Sequence, residues 1–74
     1  MAEPNLQELN ESIKLLSNYR DRLHKEVTTI AKKLQMPPGK INSVLKENSE
    51  LVNINKSIVY LISQRERQLR QDNP

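Results

Sequence analysis

Apolar residues recur along the first half of the chain at intervals of three and four: Leu6, Leu9, Ile13, Leu16, Leu23, Val27, Ile30 and Leu34. In heptad terms Leu6, Ile13, Val27 and Leu34 hold one seam position, and Leu9, Leu16, Leu23 and Ile30 hold the other. Arg20 is the one interruption. A repeat of this period gathers its members on one face of an α-helix, and it predicts a helix over residues 5–35. Asn5 has the side chain for the N-cap, with Glu8 placed to reach back as the capping-box partner. Arg20 is expected to lay its aliphatic stem along the seam and carry its guanidinium outward. Asp21 and Lys25 form a favourable i,i+4 pair on the outer face.

Met36-Pro37-Pro38-Gly39 ends this pattern. Pro37 disfavours helical geometry at Met36, and two consecutive prolines cannot continue the i to i−4 ladder. Pro38 suits the first turn of a following helix, where its missing N–H costs nothing. That helix is predicted over residues 38–70, with apolar positions Ile41, Val44, Leu45, Leu51, Val52, Ile54, Ile58, Val59, Leu61, Ile62 and Leu69. The connection is short, so the two segments are expected to form an antiparallel hairpin. Each helix would be about 45–50 Å long at about 1.5 Å per residue.

The two apolar faces are unequal. The second helix presents an arc of about 200°, the first about 140°. One antiparallel partner covers one seam, so the surplus predicts a further contact. A homodimer forming a four-helix bundle is the simplest arrangement, with Leu45, Leu51, Val52, Ile54, Ile58, Val59 and Ile62 at the interface. The fold expected is therefore all-α, one domain over residues 1–74, with a turn at 36–39 and a frayed tail at 71–74. A break at Asn48-Ser49, with Ser49 capping a third helix, is the alternative.

Composition narrows the class. The chain has 74 residues, no cysteine, no Phe or Trp, and a net charge of +3 in which both signs are interspersed. A domain this small has little interior, and without disulfides its stability must come from extended helix packing or association. The longest apolar run, Ile58-Val59-Tyr60-Leu61-Ile62, is far short of the roughly 20 residues of a membrane span. Met1 to Asn5 carries no basic segment followed by an apolar one, so no signal peptide is predicted and a cytoplasmic location is expected.

Little in the sequence suggests chemistry. Asn48 and Asn55, seven residues apart near the centre of the second apolar arc, are candidate specificity positions: buried amides in a seam fix register or oligomer number. His24 is the only histidine, with no cysteine to join it in a metal site. No nucleophile, base and orienting group share a recognisable spacing, so no enzymatic activity and no cofactor are expected. Arg65, Arg67 and Arg70 complement the dipole at a helix C-terminus, and Glu66 can pair with Arg70. Contact of these arginines with RNA or an anionic surface is the functional alternative.

The run from Ile30 through Ala31, Leu34, Gln35, Met36, Pro37, Pro38, Gly39 and Ile41 to Val44 and Leu45 resembles a helix-turn-helix DNA-binding motif. In that family a small residue lets the two helices approach, as Ala31 would, and apolar residues surround the turn, as Leu34, Met36, Ile41 and Val44 would. The resemblance spans residues 27–46 and implies DNA contacts from Lys40, Asn42, Ser43 and Lys46 in the major groove. Two features depart from it. Gln35 stands where the tight turn takes glycine, and Arg20 to Glu26 has no break that would make the preceding helix compact. The function expected from the chain as a whole is a helical protein-interaction module, self-associating or docking on a helical partner, with DNA binding as the alternative.

Overall fold

The structure, a computed structural model, describes residues 5–71. The expectations for residues 1–4 and 72–74 lie outside it. The described residues are all-helical without strands, in three helices: α1 (Leu6–Lys33), α2 (Pro38–Glu47) and α3 (Ser49–Gln71). The first predicted helix is present with its cap. Asn5 is extended, with φ −79° and ψ 171°, and its Oδ1 accepts the Glu8 backbone N–H at 2.8 Å.

The second predicted helix is divided. Asn48 adopts φ −66° and ψ 111° and so ends α2. Its carbonyl already accepts the Val52 N–H, and its side chain accepts the Leu51 N–H at 2.9 Å, which makes it the N-cap of α3. The continuous helix over 38–70 is thus corrected to helices of 10 and 23 residues. The capping residue is Asn48, and Ser49 is the first residue of α3. Asn at this position prefers local side-chain to backbone bonding over helix continuation, which overrode the apolar period.

The turn before α2 is also earlier than Met36. Leu34 closes α1, the Met36 N–H donates to the Ala31 carbonyl at 3.1 Å, and the Gln35 N–H donates to that of Lys32 at 2.9 Å. These two bonds form a Schellman motif, which requires a left-handed residue between them. Gln35 supplies it with φ 59°. Pro37 then caps α2 and Pro38 begins it, as its fixed φ and missing donor favour.

α1 and α3 are antiparallel. Arg65 of α3 donates to Asn10 of α1 at 3.0 Å, while Tyr19 of α1 donates to Glu50 of α3. Residue numbers therefore fall along α3 as they rise along α1. Between them lies the core: Leu9, with 1% of its surface exposed, faces a stripe in which Leu51, Ile54 and Ile58 are buried and Leu61, Arg65 and Gln68 are half-buried. That stripe keeps a strict 3-4 repeat. Each fully buried Leu or Ile is worth about 1.5–3 kcal/mol of apolar transfer free energy.

The seam of α1 follows its predicted heptads only as far as Val27. Beyond it Ala31 is buried, with 3% exposed, while Ile30 and Leu34 face outward with 59% and 66% exposed. A straight helix of 3.6 residues per turn drifts against a 3.5-residue repeat, and here α1 meets the short α2 as well as α3. Ala31 and Ile41 are the buried positions on either side of the turn. Arg20 is half-buried in the seam and its guanidinium reaches Asp21 at 3.2 Å, so Arg20 takes the carboxylate expected for Lys25. The result is a slender rod, 54 × 20 × 17 Å.

Candidate interaction surface

What the fold leaves outside is a second stripe on α1. Leu15, Tyr19, Arg22, Glu26 and Ile30 follow one another at spacings of four, three, four and four, and all are exposed. Leu15 is the most prominent, with 70% of its surface in solvent. The side chains bracket one another. The Arg22 guanidinium carbon sits 5.9 Å from the centre of the Tyr19 ring, a weak cation–π contact at an exposed site. The Tyr19 hydroxyl donates to a Glu50 carboxylate oxygen at 2.5 Å, and this bond, with the negative charge behind it, holds the phenol above its ordinary pKa. Beyond them an open groove of about 450 Å³ runs beside Arg22, Lys25, Glu26, Thr29 and Ile30.

Residues 7–70 match a family described as Domain of unknown function (DUF8630). The chain belongs to that family. The matched span runs from the second residue of α1 to within one residue of the end of α3, so the DUF8630 unit coincides with the three-helix hairpin. No curated protein and no solved structure matches the chain.

The DUF8630 hairpin distributes the predicted interface residues between two environments. Leu51, Ile54 and Ile58 are buried within the chain itself, leaving them no surface to offer a partner. Leu45, Val52 and Ile62 are half-buried, and Val59 is largely exposed. The break at Asn48 is the reason. By bending the chain it turns Ile41 inward on α2 independently of α3, so the apolar surplus predicted for one long helix is partly consumed inside the monomer. Large apolar side chains stay exposed at Val59, Tyr60 and Leu69 of α3, and others at Leu15, Tyr19 and Ile30 of α1 and at Leu34 just beyond it. Leu15 and Tyr19 escaped sequence reasoning because the charged pair Arg22 and Glu26 interrupts their stripe. The signal was present as a second 4-3-4 spacing, visible only when charged residues are counted as seam positions.

Asn48 and Asn55 do not form a buried pair. Asn48 is half-buried with its carbonyl oxygen committed to the α3 backbone, and Asn55 is exposed beside Val52, Lys56 and Val59. The four residues implied by the helix-turn-helix resemblance, Lys40, Asn42, Ser43 and Lys46, are all exposed on α2, and Ser43 returns its hydroxyl to the Gly39 carbonyl. Where the three helices meet, Arg20, His24, Leu45, Lys46 and Asn55 line a smaller groove of about 220 Å³. Among the described residues no three His, Cys, Asp or Glu side chains are grouped to hold a metal, and no helix is long and apolar enough to cross a membrane.

Proposed function

We propose that the chain is a non-enzymatic helical interaction module that self-associates, two hairpins packing into a four-helix bundle, and that serves as a scaffold, adaptor or small regulatory protein. One observation carries this reading. Among the described residues seven large apolar side chains stand exposed, while the core holds six, one of them only an alanine. Scattered apolar residues are ordinary on any surface, but Leu15, Tyr19 and Ile30 share one face of one helix. A second hairpin would cover them without any new element of structure. Light scattering or sedimentation over a range of concentrations tests the idea: a dimer mass is expected, and a monomer at every concentration contradicts it.

A second reading is supported by the turn. Gln35 takes the left-handed conformation that a helix-turn-helix turn demands, and Lys40, Asn42, Ser43 and Lys46 all point to solvent. DNA binding through α2 would fall steeply with salt and depend on Lys40 and Lys46. Absence of duplex binding at low salt removes it.

A further inference from the structure

Resting on the self-association reading, we infer that the dimer forms through the outer stripe of α1, paired antiparallel with the same stripe of a second copy about a two-fold axis level with residue 24. The inference comes from the stripe's own symmetry. An isologous interface brings each residue i against j and each j against i, so only a self-complementary patch can form one. Reversing the α1 stripe about residue 24 sets Arg22 against Glu26 of the second copy, and Glu26 against its Arg22. Both charges are exposed in the single chain and neither is held in an ion pair on its own helix. The same reversal brings Leu15 level with residue 33 of the other copy, one turn from its Ile30. Tyr19 then lies level with residue 29 of the second copy, against the groove at its Thr29 and Ile30, and the second copy returns the contact. Apolar ends meet apolar ends, and opposite charges meet at the centre. A parallel pairing of the same stripe would instead set Arg22 against Arg22 and Glu26 against Glu26.

Of the predicted interface residues on α3, Leu51, Ile54 and Ile58 cannot make this contact, since they already fill the intrachain seam. Nor does Tyr19 need to move. Its hydroxyl is engaged by Glu50, which leaves the ring as a fixed wall at the edge of the stripe.

The test is a charge exchange on the full chain. Arg22→Glu and Glu26→Arg each place two like-charged pairs at the centre of the interface, which should weaken the homodimer by at least about a hundredfold. Mixing the two variants restores both opposite-charge pairs, so a heterodimer of near wild-type affinity should form. The double variant R22E/E26R should dimerise with itself. Circular dichroism of each variant, at unchanged helicity, shows that any loss of dimer is not loss of fold. If both single variants dimerise as tightly as the wild type, the interface lies elsewhere while self-association stands. If the single variants are monomeric but their mixture stays monomeric, the antiparallel register is wrong. A wild-type chain that is monomeric throughout overturns this inference and the reading beneath it.

Discussion

Replacing Asn48 with alanine isolates the residue that makes three helices out of two. The side chain accepts the N–H of Leu51 at 2.9 Å at a part-buried site, and Leu51 itself is in the core. Loss of an N-cap costs about 0.5–2 kcal/mol, and partial burial of the orphaned N–H places this one in the upper half of that range. Alanine also favours helix interior, so the opposing possibility is that α2 and α3 fuse into one straight helix. That requires ψ at residue 48 to swing by about 150° from its value of 111° to the helical one. α2 would leave α1, and exposing Ile41 costs about 1.5–3 kcal/mol. The bent form should therefore persist, less stable by about 1.3–2 kcal/mol by the capping magnitude. Urea unfolding followed by far-ultraviolet dichroism, at fixed protein concentration, should show a lower midpoint with an unchanged slope. Heating should show a fall of about 4–8 °C per kcal/mol for a chain of this size. Asn48→Ser and Asn48→Asp keep an acceptor and should stay near wild type. If the alanine and serine variants unfold together at the wild-type midpoint, the cap is not what stabilises the bend.

Three other outcomes follow from single contacts. Gln35→Gly removes the steric cost of a side chain at φ 59°, and should raise stability by about 0.5–1 kcal/mol after the glycine's own unfolded-state entropy is subtracted; an unchanged or lowered midpoint contradicts the Schellman assignment. Leu9→Ala, at the most buried position, should cost about 2–4 kcal/mol in the same urea assay, while Leu15→Ala should cost under about 0.5 in the monomer. The Tyr19 phenol binds its proton more tightly folded than unfolded, so its bond to Glu50 contributes fully below the unfolded value of about 10 and is lost as pH rises through the higher folded value. An ultraviolet titration of the phenol should shift downward in Glu50→Gln, and no shift would show that the two do not interact in solution.

Much of the fold was legible in the apolar period and the punctuation marks. The α1 repeat, the Asn5 cap and Pro38 at the start of α2 all rest on local rules, and local rules are written in neighbouring residues. Asn48 was harder. Its neighbours Leu45, Leu51 and Val52 continue an apolar face, and the preference of one amide for its own backbone competes with that face at similar energy. The exchange of Ile30 for Ala31 at the end of the seam depends on where α2 lands, which no window of sequence contains. The exposed stripe on α1 is not visible in apolar spacing alone, because Arg22 and Glu26 stand within it. Counting apolar arcs gives the second segment the surplus, and the uncovered residues lie on both long helices, at Leu15 and Ile30 of α1 and at Val59 and Leu69 of α3.

The distribution of burial along the rod carries a dynamic consequence. Among the described residues the only side chain with less than 2% exposure, Leu9, lies at the mouth of the hairpin, near the bond from Arg65 to Asn10. The bend at the other end holds a strained Gln35, an outward Leu34 and a ten-residue helix capped by prolines. A hairpin clasped hardest at its mouth should breathe from its bend. Amide protons of α2 should then exchange with solvent deuterium well before those around Leu9 and Ile58, and α2 should exchange as one unit. The three helices would thus be two lifetimes: a durable α1–α3 pair, and a short segment that lets go first.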